Sequence, residues 1–195
     1  VTLPLAAKAE QVIALEPAQN MAELLSKNAQ RNNIDNIEII VQDFASFAAK
    51  TSDNTFNLVF LCHAAWQFPD LPWLISQINR LSSAHCCLAD SMGSEDLEHR
   101  DMLRKLSLNT PDLDRTLYLY NVLFELGLPA NISYIPHLMR RSVDSATSMW
   151  KNLVGKYRRL SDNDEKIIQD HVLSRTRNKI YESPGTMSLI WWRSK

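Results

Sequence analysis

Glycine and cysteine are both scarce in this sequence, and their positions exclude two kinds of structure. All four glycines follow residue 92, so the first half contains no glycine-rich loop of the kind that lets a backbone approach a phosphate group. Only three cysteines are present, Cys62, Cys86 and Cys87, and two of them are adjacent. An odd number in this arrangement is a poor disulfide framework, so we expect reduced thiols and a cytoplasmic protein.

Charge of one sign and long apolar runs are also limited. The formal net charge is −1 at pH 7, which argues against a broad basic surface for nucleic acid. No run of about 20 apolar residues could span a bilayer, and no basic stretch followed by an apolar core marks a signal peptide, so we expect no membrane partner. The 195 residues, 45% of them apolar, suffice for a single domain (1–195) with a sizeable core.

Short apolar runs alternate with helical patterns in the first half. Runs that are apolar on both sides are typical of strands covered on both faces of a parallel sheet. The pattern predicts an α/β fold, with a doubly wound, mostly parallel sheet and helices on each side. The predicted strands are QVIALE (11–16), IEIIVQD (37–43), Phe56–Cys62 and His85–Asp90, and the predicted helices are Leu3–Ala9, Gln19–Arg31 and Leu71–Leu81.

The second half is less regular. Helices are predicted over 96–106, 114–126, 142–154 and 161–174, and strands over 130–138 and 186–195. Ser161, with Asp164 three residues on, forms a partial capping box at the start of the last helix. The segment 142–177 is therefore a helical insertion before the last strand.

Three of the four strands predicted in the first half end on a carboxylate: Glu16, Asp43 and Asp90. Ligands of open α/β sheets bind outside the carboxyl ends of the strands. A single acid there is better explained by a loop or a helix cap, but acids at successive strand ends are harder to explain in that way and favour a ligand site. Glu16 is placed to accept hydrogen bonds from both hydroxyls of a ribose, and Asp43 from the amino group of an adenine. Met21 and Phe44 would be apolar walls for that ring, although Met21 fits equally well as a core residue.

Two segments carry a resemblance to a known family. AAKAEQVIALEPAQNMAELLSKNAQRNNIDNIEIIVQDFASF, followed by FNLVFLCHAAWQFPDLPWLISQINRL, resembles the class I S-adenosylmethionine-dependent methyltransferases, which have a Rossmann-like fold. The resemblance covers residues 1–92, and the remainder matches in outline only. It implies S-adenosylmethionine as the cofactor and a small molecule as the methyl acceptor.

The resemblance also implies a role for individual residues near the nucleoside. Glu16 corresponds to the acid that binds the ribose, and Pro17 turns the chain out of the sheet directly after it. Met21, Asp43 and Phe44 correspond to positions beside the adenine. These residues would form the nucleoside half of a cofactor site.

The loop after the third predicted strand would lie near the methionine part of the cofactor and the acceptor. Cys62 and His63 match that loop, and His63 could act as a general base for a hydroxyl or thiol nucleophile. Trp66 and Phe68 could line the acceptor pocket, and in this family an insertion such as 142–177 forms a lid over it. The alternative is that His63 caps the strand end and Trp66 packs under the insertion.

The cluster His85, Cys86 and Cys87 does not have the spacing of a metal site. Alternate residues of a strand point to opposite faces, and no Cys-x-x-Cys pair is present. We expect all three side chains in the core and no bound metal.

The sequence departs from the family at its beginning. The family's first strand ends in a glycine-rich loop, whereas this sequence starts at VTLPLAAKA, which resembles the helix after that loop. Three explanations are open: an N-terminally truncated fragment of a longer product, a missing strand supplied by a partner chain or dimer, or a relic that no longer binds cofactor. A sheet without its central strand has two edges in its middle, which a segment, a partner or closure of the flanking strands must fill.

The leading hypothesis is therefore a transferase that moves a methyl group from S-adenosylmethionine to a small-molecule acceptor. A cofactor-free pseudoenzyme or interaction module with the same fold is the first alternative. An NAD-dependent oxidoreductase is the second, because an acid after the second strand also suits NAD. The pair Asp43–Phe44 and the absence of a Tyr-x-x-x-Lys pair favour the methyltransferase over the oxidoreductase.

Overall fold

The computed structural model describes residues 1–91, 97–108 and 115–195, with backbone only for 97–99. Helices and strands alternate in its first half, as the apolar runs predict. Along the chain the elements are α1 (Thr2–Ala6), β1 (Val12–Leu15), α2 (Gln19–Arg31), β2 (Ile37–Ile40), α3 (Phe44–Lys50), β3 (Phe56–Cys62), α4 (Leu71–Leu81), β4 (Ser82–Ser91), α5 (Leu97–Lys105), α6 (Arg115–Glu125), β5 (Asn131–Ser142), α7 (Val143–Gly155), α8 (Asp162–Ser174), β6 (Thr176–Arg177) and β7 (Ile180–Arg193).

The strands form two sheets. β1 and β2 pair in parallel, and separately β3 pairs in parallel with β4, which continues through antiparallel β7 to β5, with the short β6 also on β7. The predicted α/β class is confirmed, including the parallel pairing in the first half. Among the strands that the structure describes, no ladder joins β1 to β3, so the flanking strands do not close the gap expected at the middle of the sheet.

The two sheets differ in burial. Every residue of β1 is half-buried, whereas β4 is buried from Cys86 to Asp90. The expectation that β1 is fully buried is therefore wrong, because this strand pairs on one side only. Within residues 1–64, all of which the structure describes, the buried side chains are those of alanines: Ala6, Ala22, Ala29 and Ala48.

The main core lies where α4 and α6 pack on the larger sheet. Leu74, Ile75 and Ile78 of α4 are fully buried, as are Ile190 and Trp192 of β7. Asp70 begins α4, since its carboxylate accepts a hydrogen bond from the amide of Trp73 at 2.9 Å. Each large aliphatic side chain buried in this way contributes about 1.5–3 kcal/mol. This core fixes β3 and β4, and with them the carboxyl ends of both strands.

A second core joins α5, α7 and α8 to the outer part of β7. It contains Met102, Trp150, Ile168 and Tyr181, each at most 3% exposed. The helices of the predicted segment 142–177 are therefore packed on a core of their own, which also includes a residue of α5. The function of this segment as a lid stays a prediction.

The start of α8 is fixed by a complete capping box. The Ser161 hydroxyl accepts from the Asp164 amide, and the Asp164 carboxylate accepts from the Ser161 amide. The Arg158 guanidinium also pairs with Asp164 and donates to the Leu106 carbonyl at 2.7 Å, which ties α8 to the end of α5. The aspartate predicted as a partial substitute for glutamate therefore completes the box.

Several predicted boundaries need correction. The helix α3 is absent from the predicted elements, and β7 begins six residues before the predicted Thr186 because the strand continues through Pro184 and Gly185. β5 continues past Pro136 to Ser142; a proline is tolerated there because β5 is an edge strand. The predicted helix starts at residues 96 and 114 lie outside the described residues.

The cluster at the start of β4 is only partly in the core. Cys86 and Cys87 are buried, and burial raises the pKa of these thiols to about 11 and about 12. His85 is exposed, so the expectation that it is a core residue is wrong; it lies near the amino-terminal end of the strand. The three cysteines form no disulfide. Among the described residues, no helix is long and apolar enough to cross a membrane.

Candidate cofactor and acceptor site

The carboxyl end of β1 positions Glu16. Its amide extends the β1–β2 ladder by donating to the Ile40 carbonyl at 3.1 Å, and its carboxylate Oε1 accepts from the Ala18 amide at 2.9 Å. This contact turns the half-buried side chain back over the start of α2, and Pro17 beside it is exposed. Glu16 therefore stands at the rim of the smaller sheet, where a ligand can reach it.

Met21 lies on the first turn of α2, and its side chain is 54% exposed. The buried positions of this helix are Ala22 and Ala29 instead. Met21 is thus open to a ligand at the same end of the sheet as Glu16, and the alternative of a core methionine does not describe its position.

Asp43 begins α3 as its N-cap. Its Oδ1 accepts from the Ser46 amide at 2.9 Å, and this hydrogen bond holds the pKa of Asp43 below its usual value. The loop-and-cap explanation of a strand-end acid therefore applies to Asp43, and a hydrogen bond to an adenine would have to use the second oxygen. Phe44 is half-buried and packs edge-to-face on Phe68 and Trp73, with ring centroids 5.8 and 6.0 Å apart. These contacts tie α3 to the start of α4.

The carboxyl ends of β3 and β4 bring His63 and Asp90 together. Cys62 is opposite Ala89 in the parallel ladder, and the His63 amide donates to the Ala89 carbonyl at 2.8 Å. The next residue of each strand then lies side by side, with His63 Nδ1 3.2 Å from Asp90 Oδ1. The apolar runs predict both residues at strand ends but not their contact; the signal for it was that each directly follows the apolar part of a parallel strand.

Two features of this pair are energetically unfavourable. His63 has a φ of +52°, a left-handed conformation that costs a non-glycine residue about 1 kcal/mol or more. Asp90 is 4% exposed, and its buried Oδ2 has no hydrogen-bond partner in the described part of the chain. Strained backbone and unsatisfied buried polar atoms concentrate at functional sites.

Further contacts hold the backbone and one oxygen of Asp90. Its Oδ1 accepts from the Ser91 amide at 2.8 Å and lies 3.8 Å from the Arg115 guanidinium. Behind it, the Thr116 hydroxyl donates to Ser188 Oγ at 2.8 Å, and Ser188 donates to the Asp90 carbonyl at 3.3 Å. The carboxylate is thus fixed on the side that faces His63.

Trp66 and Phe68 occupy different environments. Trp66 is 64% exposed and its indole Nε1 donates to the His63 carbonyl at 2.8 Å, so it does not pack under the helical insertion. Phe68 is half-buried against Phe44. Of the two, Trp66 is the one available to an acceptor beside His63.

Cys62 precedes His63 and is half-buried. Burial raises the pKa of its thiol, and the Asp90 carboxylate acts in the same direction, so the thiol stays protonated at neutral pH. A cavity of about 420 Å³ opens at the other end of β3, lined by residues that include Asp53, Arg80 and Lys195. As formed by the described residues, the candidate site is instead an open surface at the carboxyl ends of the strands.

Comparisons with known proteins address this architecture directly. Residues 1–84 match the profile of the methyltransferase domain family. The chain superposes on the YcgJ protein from Bacillus subtilis with a TM-score of 0.60 and 16% identity, covering 99% of this chain and 86% of that one. It superposes on an S-adenosylmethionine-dependent methyltransferase from Aquifex aeolicus with a TM-score of 0.55 and 11% identity, covering 99% and 76%.

The chain has the class I methyltransferase fold. The fold implied by the resemblance is thereby confirmed, and the family match falls on the half that carries Glu16, Asp43 and His63. The same fold is also similar to precorrin 8W decarboxylase from Methanobacterium thermoautotrophicum, at 14% identity and a TM-score of 0.55, covering 98% of this chain and 74% of that one. No curated protein matches the chain in sequence. At these identities the solved structures show the fold alone.

Proposed function

We propose that this protein transfers a methyl group from S-adenosylmethionine to a hydroxyl or thiol of a small molecule, with His63 as the general base. The observation that carries the proposal is the pair of His63 and buried Asp90, 3.2 Å apart, at the ends of adjacent parallel strands in a methyltransferase fold. Ligands of such folds bind at this end of the sheet.

The residues of this chain fit the nucleoside half of the cofactor. Glu16 has a half-buried carboxylate with one oxygen engaged by the Ala18 amide, which supports hydrogen bonding to ribose hydroxyls through the other. Met21 supplies an exposed apolar surface for the base, while Phe44 is turned towards Phe68 and contributes less than the sequence predicts. Residues 1–91 supply no glycine-rich loop for the other half.

The chemistry required of the protein is positioning and proton removal. When bound, the cofactor supplies a methyl group on a positively charged sulfur, a donor that is already reactive. As the acceptor oxygen or sulfur forms its bond to the methyl carbon, the bond between that carbon and the positively charged sulfur of the donor would break. The electron pair of the broken bond would stay on the donor sulfur. The proton of the acceptor goes to His63 Nε2, since Nδ1 faces Asp90.

The alternatives make different demands on the same residues. A cofactor-free module needs neither an open Glu16 nor a strained His63, and both are present. An oxidoreductase finds no support in the solved structures described above, two of which are named for other chemistry.

Calorimetric titration with S-adenosylmethionine tests the proposal. Glu16→Ala should weaken binding about 10-fold or more, because each hydrogen bond to a charged group contributes about 1.5–3 kcal/mol. Glu38→Ala is the matched control, since Glu38 is an exposed acid on neighbouring β2 and away from its carboxyl end. Equal affinities for the two variants would refute the ribose role, and absence of binding by this chain and by a version extended upstream of Val1 would overturn the proposed function.

A further inference from the structure

We infer that Asp90 is the positioning residue of His63: it holds the imidazole as the Nδ1–H tautomer and so leaves Nε2 bare to accept a proton. The inference rests on the proposed function for its purpose, but it concerns the protonation pattern of His63 itself. It commits to a role for Asp90 that is distinct from capping the strand end.

The pairing of β3 with β4 sets the geometry of His63 and Asp90. The parallel register, Cys62 opposite Ala89, places the two residues on neighbouring strands at the same level. His63 Nδ1 is 3.2 Å from Asp90 Oδ1 and 3.5 Å from Ser91 Oγ, so both polar neighbours meet the same ring nitrogen. A carboxylate accepts hydrogen bonds and cannot donate, so a neutral imidazole facing it places its proton on Nδ1.

The two side chains differ in their exposure to solvent. The His63 side chain is 45% exposed while that of Asp90 is 4% exposed. The ring therefore has a buried, polar side and a side open to solvent. Nε2, which lies across the ring from Nδ1, is the nitrogen left for a substrate hydroxyl or thiol.

The buried Asp90 carboxylate carries an energetic cost. A buried carboxylate is expensive unless its oxygens are paired, and Asp90 Oδ2 has no partner among the residues that the structure describes. An asparagine or a small apolar residue would serve a purely structural strand end at lower cost. The Ser188 hydroxyl and the Ser91 amide nevertheless fix the Asp90 backbone and Oδ1 in this orientation. A strained His63 backbone beside a costly carboxylate is the combination expected of a site selected for chemistry.

Nitrogen NMR of histidine-labelled protein tests the inference without any ligand. Above the pH range in which imidazoles titrate, the wild-type His63 should show Nδ1 protonated and Nε2 unprotonated. In Asp90→Asn the amide group can donate to Nδ1, so the population should shift to the Nε2–H tautomer or to a mixture. Asp53→Asn is the matched control, since Asp53 pairs with Arg80 at the other end of β3, and it should leave the His63 signals unchanged.

Two outcomes would overturn the inference. One is a wild-type His63 that carries its proton on Nε2, a result that needs no variant and so does not depend on whether Asp90→Asn folds. The other is a folded Asp90→Asn with the wild-type tautomer, which would mean that Asp90 is structural only.

Activity separates this inference from the proposed function. If both hold, Asp90→Asn lowers kcat about 100-fold with little change in the KM for S-adenosylmethionine. If the protein proves not to bind the cofactor, the tautomer result still decides the role of Asp90, so the failure of one is distinguishable from the failure of the other.

Discussion

The region from α1 to α3 and the region from β3 onward contain similar apolar runs but bury them to different degrees. The first region buries only alanine side chains, whereas the second buries Leu74, Ile75, Trp192 and other large groups. Both regions have parallel strands, but among the described strands β1 and β2 each pair on one side only, whereas β4 and β7 of the second region pair on both sides. An apolar run therefore predicts where a strand forms, and the number of neighbouring strands decides how deeply its side chains are buried.

The sharpest test of this comparison is a leucine-to-alanine substitution in each region. Leu74→Ala should destabilise the protein by about 2–5 kcal/mol, since the side chain is fully buried and leaves a cavity. Leu15→Ala, in half-buried β1, should cost about 1 kcal/mol or less. Urea unfolding measures both. Equal losses would show that β1 is covered in solution by something that the chain itself does not contribute in this structure.

A second test compares two acids at helix starts. Hydrogen bonds lower the pKa of both Asp43 and Asp164, and for Asp164 the Arg158 guanidinium is the main cause. A lowered folded-state pKa adds stability above the unfolded-state value near 3.8, and this stability is lost as the pH falls through the folded-state value. Asp164→Asn should therefore flatten the acid limb of the stability curve.

Asp43→Asn provides the comparison for that test. Asp43 is exposed and asparagine is also a good N-cap, so the acid limb should change less than with Asp164→Asn. Thermal unfolding between about pH 2.5 and pH 6, where aspartate titrates, measures both variants. A larger change for Asp43→Asn would contradict the ranking of the two regions.

The smallest expected difference is one of local opening. Amides of β1 and β2 should exchange with deuterium about tenfold faster, or more, than those of β4 and β7, because few buried side chains hold the smaller sheet. Exchange followed by mass spectrometry resolves the two sheets. Uniform protection would mean that both sheets open as one cooperative unit.

Much of the first half could be predicted from local patterns. The bounds of α2, β3 and α4 agree with the predicted ones, because each is a clean periodic or apolar run. The helix α3 was missed because its seven residues, FASFAAK, are too short to show a stripe, and because its cap Asp43 was interpreted as a ligand residue.

The bounds of the later strands were harder to predict from the sequence, for a different reason. β7 passes through Pro184 and Gly185, residues that usually end a strand. A Cβ atom at Gly185 would lie 2.9 Å from His137 Cε1 on the paired strand, so any other residue there would displace the His137 side chain. Such a contact depends on which strand is the neighbour, and no local pattern contains that information.

The candidate site shows the same limit. Glu16, Asp43 and His63 were found because acids and a histidine directly follow apolar runs. The contact between His63 and Asp90 depends on the register of β3 against β4, and two runs of unequal length do not specify it. The left-handed backbone of His63 has no signal in the sequence at all.

The strand β7 has a mechanical consequence for any movement of α7 and α8. Its 14 residues, Ile180–Arg193, include Tyr181 of the second core and Trp192 of the main core without interruption, and β5 is paired with it from Ile180 to Trp191. The helices α7 and α8 are thus attached to a two-stranded ribbon, since α7 follows β5 directly without a loop between them. A swing of these helices relative to the main core would have to break that ladder or bend the ribbon as a whole.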